Sequence, residues 1–222
     1  WLSDEQIGPD MLSPSGIHIL AQIHLRSENF DGFLAVMQGI TETQCHEGPQ
    51  LLIVRGTARL ASVFSGTDRQ TAFQGIPIGA RFKEPVAASA ELTQSLDLAI
   101  ADLDRILALQ KELELKVTVS TAERLRRWAE LLHPQRKEAA LLRLRQDLTE
   151  PSAAIPALQF AIAFDVPFDA AAISEALERR ERLGGLKGEE LIAAFSLALY
   201  SKDPATIADF ITFRRDSLEE TL

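Results

Sequence analysis

The strongest structural signal in this 222-residue chain lies in Ser89–Leu113, which reads SAELTQSLDLAIADLDRILALQKEL. Apolar residues recur in it every three or four positions, which is the period of an α-helix that buries one face. These residues are Leu92, Leu96, Ile100, Leu103, Ile106 and Leu107. The stretch therefore predicts one long amphipathic helix, which Ser89 opens and which ends near Leu113.

The same period predicts three helices before this stretch. They cover Ser15–Leu25, a second helix that Asn29 caps, and Leu51–Phe64. Asparagine is a preferred cap because its side chain accepts a hydrogen bond from a free amide of the first turn. The pair Gly48-Pro49 separates the second helix from the third, since proline suits the first turn of a helix.

Six further helices are predicted after this stretch. The sequence Ser120-Thr121-Ala122-Glu123 has the form of a capping box, in which a serine and a glutamate satisfy each other's free amides. The six helices are Ser120–His133, Gln135–Leu148, Ser152–Phe164, the helix from Asp169 to Leu183, Glu189–Tyr200 and Ala205–Phe213. The chain is therefore expected to be all-α, with about nine or ten helices joined mostly by short loops.

Two stretches lack a helical period. Ser65–Pro85 contains three glycines and two prolines, which predicts an irregular segment of a kind that is often functional. Val117-Thr118-Val119 predicts a brief extended linker before the next helix.

Composition and charge exclude several classes of protein. The chain is 46% hydrophobic and 25% charged, which excludes disorder, a collagen-like structure and a disulfide scaffold. Its net charge of −9 argues against nucleic acid as a partner. The single cysteine, Cys45, allows no internal disulfide and fits a reducing compartment, so we expect a cytoplasmic protein. We also expect no membrane partner. Because the chain begins with Trp1, we expect a fragment of a longer protein.

The segment Ile17–Cys45 resembles a tetratricopeptide repeat, a unit of two helices. The residues that carry the resemblance are Leu20, Ala21, His24 and Phe30. Gly56 follows Ala21 by 35 residues, about one period later, and Leu191–Phe213 resembles a second unit of this kind. The resemblance implies an α-solenoid, a stacked array of antiparallel helical hairpins that binds a peptide, a partner domain or another copy.

Two regions follow from this interpretation. Residues 1–86 would hold the repeat-like helices and the irregular segment, and residues 87–222 would hold the second hairpin array. The two regions are expected to form one continuous unit.

No pattern typical of catalysis, cofactor binding or metal binding is present in the sequence. The four histidines are scattered, without the spacing of a zinc site, and the glycine-rich loops that bind nucleotides are absent. Cys45 has no nucleophile signature around it. We therefore expect a non-enzymatic protein with no catalytic, cofactor-binding or metal-binding residues.

Seven residues are candidates for binding a partner. Arginines are concentrated between residues 124 and 145, where Arg127 and Trp128 could together offer a charge and a stacking surface. In a repeat array the first helices of the units tend to face the concave side, and this adds three candidates. The full set is His24, Arg55, Arg59, Arg124, Arg127, Trp128 and Arg136. In the alternative interpretation, the arginines only pair with acidic residues such as Glu123 one turn away on exposed helix faces.

Two functions remain open on the sequence. The first is a scaffold that binds a partner protein or peptide, or a second copy, on a helical-repeat surface. The second is a regulatory or ligand-sensing helical arm of a larger multidomain protein, with the arginine-rich stretch as its sensing face.

Overall fold

The computed structural model describes residues 9–27, 29–63, 89–113, 116–186, 189–208 and 210–212. All regular secondary structure in these ranges is helical, which confirms the all-α fold class. The predicted irregular segment Ser65–Pro85 and the predicted boundary between residues 86 and 87 lie outside the described residues.

The described ranges contain a short 3-10 helix at Pro9–Met11 and ten α-helices with defined bounds. The α-helices are α1 (Pro14–Arg26), α2 (Phe30–Gln38), α3 (Glu42–Glu47), α4 (Leu51–Ala61), α5 (Ala90–Leu113), α6 (Lys116–Leu132), α7 (Lys137–Asp147), α8 (Pro151–Ala163), α9 (Ala170–Gly184) and α10 (Glu189–Ser201). Residues 204–208 and 210–212 are helical as well. The described helices exceed the nine or ten expected, because α3 is an additional short helix.

Side-chain caps begin several helices where the sequence predicts them. The Asn29 side chain accepts a hydrogen bond from the Gly32 amide at 2.9 Å, and the Ser89 hydroxyl accepts one from the Leu92 amide at 3.0 Å. The Asp169 side chain caps α9 in the same way, by accepting a hydrogen bond from the Ala172 amide at 3.0 Å. These starts are predictable because the cap and its partner are three residues apart in sequence.

Two predictions of local structure are wrong. Val117–Val119 is part of α6 and not an extended linker, and α6 therefore begins at Lys116 and not at the expected capping box of Ser120. β-branched residues lower helix propensity by only a few tenths of a kcal/mol each, so a favourable helix on either side of them continues through.

The six-residue helix α3 was not expected. Thr41 caps it in a complete capping box: the Thr41 hydroxyl accepts from the Gln44 amide at 3.3 Å, and the Gln44 side chain accepts from the Thr41 amide at 2.9 Å. A helix of fewer than two turns is too short to produce an apolar period, so the capping pair was the only local signal.

The chain divides into two compact units. The described residues up to Lys137 form unit 1, and those from Glu138 onward form unit 2. In unit 1, α4 packs against α2, α5 and α6, while α5 also packs against α6, and α1 against α2. The buried core of unit 1 includes Leu52, Leu60, Leu96, Ile100, Leu103 and Trp128.

Unit 2 has a core of its own. Its helix α8 packs against both α9 and α10, which also pack against each other. The core residues include Leu158, Ile162, Ile173, Leu177, Leu191 and Phe210. The Phe210 ring stacks on Phe195 with centroids 5.5 Å apart, and this contact holds the helical residues 210–212 against α10. The expected array of antiparallel hairpins stays a prediction.

Gly56 lies where α4 packs closely against α5. A Cβ atom placed on Gly56 would lie 3.2 Å from the Leu103 Cγ and 3.5 Å from the Ala99 carbonyl oxygen. The same atom on Gly16, in α1, would meet its neighbours at 3.5 Å, an ordinary contact distance. The small residue at position 56 therefore sets the distance between α4 and α5.

We predict that Gly56→Ala is less stable than Gly16→Ala. Both changes improve helix propensity by about 1 kcal/mol, but the new methyl at position 56 pushes against Leu103, which costs about 1 kcal/mol or more. Urea unfolding can be followed by the fluorescence of Trp128 in a Trp1→Phe background. Equal stability of the two variants would contradict the close approach of α4 and α5.

Candidate partner-binding site

Arg55 lies inside unit 1 and is only 4% exposed. Its Nε donates to Asp102 Oδ2 at 3.0 Å and its Nη2 to Asp102 Oδ1 at 2.7 Å, which is a bidentate pairing of guanidinium and carboxylate. The remaining donors reach the Ile40 carbonyl oxygen at 3.2 Å and Glu42 at 2.8 Å. The predicted binding residue Arg55 is thus fully engaged within the protein.

Two more arginines complete this group, which we call the Arg55 cluster: Arg55, Arg59, Arg105, Glu42 and Asp102. Arg59 donates to Asp102 Oδ2 at 2.5 Å and to the Leu98 carbonyl oxygen at 3.3 Å. Arg105 forms an ion pair with Glu42. The cluster therefore joins α3, α4 and α5, and the structure brings together the predicted residues Arg55 and Arg59.

The sequence analysis missed the acidic half of the Arg55 cluster. Asp102 lies three residues after Ala99 and four before Ile106, and both of these neighbours are buried. A charged residue in step with the apolar face of a helix needs a partner of opposite charge, and this spacing was the available signal.

The Arg55 cluster lowers the pKa of the Glu42 carboxyl. Hydrogen bonds from Arg105 and then Arg55 hold the pKa of its carboxyl below the ordinary value of 4.5, against a smaller opposing effect of burial. Hydrogen bonds to the ionised form favour ionisation, and the carboxylate is therefore the stable form at neutral pH.

Cys45 is buried in the same part of unit 1. Burial raises the pKa of its thiol, so the thiol is protonated at neutral pH and does not provide the thiolate that a nucleophile needs. The cysteine acts as a small apolar core residue.

His24 belongs to α1, and its ring packs against α2. A Cβ atom on Gly32 would come within 2.5 Å of the His24 ring, so the ring packs directly over that glycine. In the described residues, the side chains of the Arg55 cluster bond to one another and to the carbonyl oxygens of Ile40 and Leu98. The structure does not bring His24 into the cluster.

The other four candidates lie near the end of α6. Trp128 is 1% exposed and belongs to the core, so its ring offers no stacking surface. Arg124 and Arg127 are half-buried. Arg136 pairs with Asp97 at 2.9 Å, and the Nε2 atom of buried His133 lies 3.2 Å from the same carboxylate oxygen. A role of the seven candidates in binding a partner stays a prediction.

Unit 2 contains a groove that the sequence analysis did not predict. We call it the α9–α10 groove; it has a volume of about 650 Å³ and is open along one side. Small and apolar side chains make up most of its lining. The lining residues are Ala170, Ala171, Ser174, Leu177, Glu178, Glu181, Leu186, Ala194, Leu197, Ala198, Tyr200, Ser201, Thr206 and Phe210.

Two contacts show that α9 and α10 run antiparallel along this groove. The Phe168 ring, just before α9, lies 4.8 Å from the ring of Tyr200 at the end of α10. Arg180, near the end of α9, lies 3.5 Å from Glu190 at the start of α10. The groove therefore has one end at the close of α9 and the other at the close of α10.

Charge is unequally distributed over α9. The charged residues among the groove lining are Glu178 and Glu181, both exposed and both near the end of α9. Three arginines lie in the same stretch of α9: Arg179 lies 3.0 Å from Glu175, Arg180 lies 3.5 Å from Glu190, and Arg182 donates to the Glu178 carbonyl oxygen at 3.3 Å. The charged lining side chains thus lie at one end of the groove, while the other end carries hydroxyl groups.

The small residues of the groove explain why it was not predicted. Ala170, Ala171 and Ser174 fit either a packed or an exposed helix face, so their pattern carries no strong signal. The groove depends on how α9, α10 and the helical residues around Thr206 and Phe210 are placed in space.

This chain is not similar to a known family, protein or structure in three comparisons. Comparison with protein-family models, with curated proteins and with solved structures finds no match. In the described residues, histidine, cysteine and carboxylate side chains do not converge in groups of three that could ligate a metal ion. Among the described helices, none combines the length and the apolar composition of a bilayer-spanning segment.

We predict that Asp102→Asn destabilises unit 1 by about 3 kcal/mol or more, because it removes the buried counter-charge of the Arg55 guanidinium and leaves only the exposed carboxylate of Glu42. Urea unfolding followed by Trp128 fluorescence in the Trp1→Phe background measures the effect. Asp104→Asn, which breaks the exposed ion pair with Arg126 in the same unit, serves as the control and should change stability by less than about 0.5 kcal/mol. A loss below about 1 kcal/mol for Asp102→Asn would show that the Arg55 pairing is not a structural requirement.

We predict a pH-dependent effect of Glu42→Gln. A carboxyl whose folded pKa is lowered contributes stability above its ordinary pKa of 4.5 and loses that contribution as the pH falls through the folded pKa. The variant should therefore be less stable than the original at pH 7, by less than about 1 kcal/mol because Glu42 is largely exposed. The difference should shrink in urea titrations below about pH 4. A difference that is the same at pH 7 and pH 3 would contradict this assignment.

Proposed function

We propose that this chain is a non-enzymatic protein-interaction module that binds a segment of a partner protein in the α9–α10 groove. The observation that carries the proposal is the groove itself, with its apolar floor of Leu177, Leu186 and Phe210. Its volume of about 650 Å³ lies within the range of sites that bury a bound ligand. Its walls are helices, which hold a binding surface more rigidly than loops do.

The shape of the groove favours a peptide over a small molecule. The lining of α9 extends from Ala170 to Glu181, which corresponds to about 16 Å along a helix. The groove is open to solvent, and most of its lining side chains are small or apolar. An elongated, partly apolar segment matches these properties.

The alternative function uses the same groove. A regulatory helical arm of a larger protein would need a docking surface of this kind to recognise a segment of its own protein or of a partner. We place the module in the cytoplasm, since the one cysteine is a buried thiol suited to a reducing compartment.

Blocking the groove tests the proposal. Ala171 and Ala172 are neighbouring, exposed residues of α9, but only Ala171 lines the groove. We predict that Ala171→Trp removes binding of peptides that are selected on the original chain from a random display library. Ala172→Trp adds the same side chain outside the groove and should bind these peptides with unchanged affinity.

Both variants change an exposed position, so each should unfold within about 0.5 kcal/mol of the original chain. Selected peptides that bind the Ala171→Trp variant as tightly as the Ala172→Trp variant would refute the α9–α10 groove as the binding site.

A further inference from the structure

We propose that Arg55 and Arg105 form a binding site for the carboxylate of a ligand, and that Glu42 of the same chain occupies this site until the ligand displaces it. The site lies in unit 1 and does not depend on the α9–α10 groove. Its chemistry follows from the way in which two guanidinium groups hold the two oxygens of one exposed carboxylate.

Each oxygen of the Glu42 carboxylate meets a different guanidinium group. Arg55 Nη2 donates to Oε1 at 2.8 Å, and Arg105 Nη1 donates to Oε2. Arg55 belongs to α4 and Arg105 to α5, so the two cations converge on one position from two helices that pack against each other. Guanidinium groups recognise a carboxylate through such N–H donors, which fix its orientation as well as its charge.

The deep side of the site is held in place by the fold. The Arg55 side chain is buried, and Asp102 and the Ile40 carbonyl oxygen hold its guanidinium group. The Nη2 atom is therefore oriented before a ligand arrives. A ligand gains more from a donor of this kind than from a mobile surface side chain, which must first be ordered.

Glu42 is the replaceable member of the Arg55 cluster. Its side chain is 67% exposed, whereas that of Asp102 is 5% exposed. An ion pair of an exposed carboxylate changes an equilibrium constant by no more than about fivefold. A ligand that displaces Glu42 therefore loses at most about fivefold in affinity for the two arginines.

The charge balance of the cluster favours an anionic ligand. The guanidinium groups of Arg55, Arg59 and Arg105 share the carboxylates of Asp102 and Glu42. When Glu42 moves into solvent, three positive charges face one negative charge. The hydrogen bonds from Arg105 and Arg55 lower the pKa of the Glu42 carboxyl, so this position favours a carboxylate over a carboxylic acid.

Titration of acetate into the full chain, followed by the NMR signals of the arginine Nε–H groups, tests the proposal. Acetate presents a carboxylate alone, and chloride at the same ionic strength controls for screening. The signals of Arg55 and Arg105 should shift with acetate and approach saturation. In the Glu42→Ala variant the competing carboxylate is absent, so acetate should bind more tightly, by up to about fivefold.

Two further variants serve as controls. Glu175→Ala removes the partner of Arg179 and leaves one guanidinium group in place of a converging pair, so acetate should shift the Arg179 signal only as chloride does. Adding Arg105→Gln to Glu42→Ala removes half of the site and should weaken acetate binding by about fivefold. The substituted side chains are exposed, and circular dichroism establishes that each variant is folded.

Three results would overturn the proposal. If acetate shifts the Arg55 and Arg105 signals no more than chloride does, the cluster is only a structural network of ion pairs. If the original chain and Glu42→Ala bind acetate equally, Glu42 does not occupy the site. If inorganic phosphate binds Glu42→Ala at least about tenfold more tightly than acetate does, the ligand group is a phosphate. None of these results bears on the α9–α10 groove, which Ala171→Trp tests separately.

Discussion

A guanidinium group buried in a protein core must find enough acceptors to replace water, and Arg55 imposes this constraint on unit 1. Its bidentate pairing with Asp102 fixes α4 against α5, while its bonds to Ile40 and Glu42 fix the turn before α3. The adjacent residue Gly56 permits the close approach of α5 that this short pairing needs. Pairing and close packing thus occur at neighbouring positions of the same helix. A buried ion pair contributes little net stability compared with an apolar pair, but it penalises any arrangement that separates its partners.

The two units use charge in different ways. In unit 1, arginines that were candidates for binding are engaged with carboxylates of the same unit, as Arg55 and Arg59 are with Asp102 and Arg136 is with Asp97. In unit 2, charged side chains of α9 lie at one end of an open surface that is mostly apolar. The second arrangement is the one suited to a partner, because its apolar lining is open.

Much of the fold could be predicted because its signals are local. The apolar period of α5 and the caps at Asn29 and Asp169 depend on residues within one or two turns of each other. The placement of side chains could not be predicted in this way. Arg55 looks like an exposed cation in sequence, and its burial depends on Asp102, which is 47 residues away. The stretch Val117–Val119 was mispredicted for a similar reason: its own propensity favours a strand, but it lies within the helix that its neighbours form.

The candidate site was the least predictable part. The α9–α10 groove is formed by alanines and serines that carry no chemical signature, and its existence depends on three helical segments that meet in space. Hydrogen–deuterium exchange of the full chain, with and without a peptide selected on it from the display library, compares this groove directly with the arginine-rich surface that the sequence favoured. The account predicts slower exchange in α9 and α10 and unchanged exchange between Arg124 and Arg136. Slower exchange between Arg124 and Arg136, with α9 and α10 unchanged, would contradict it.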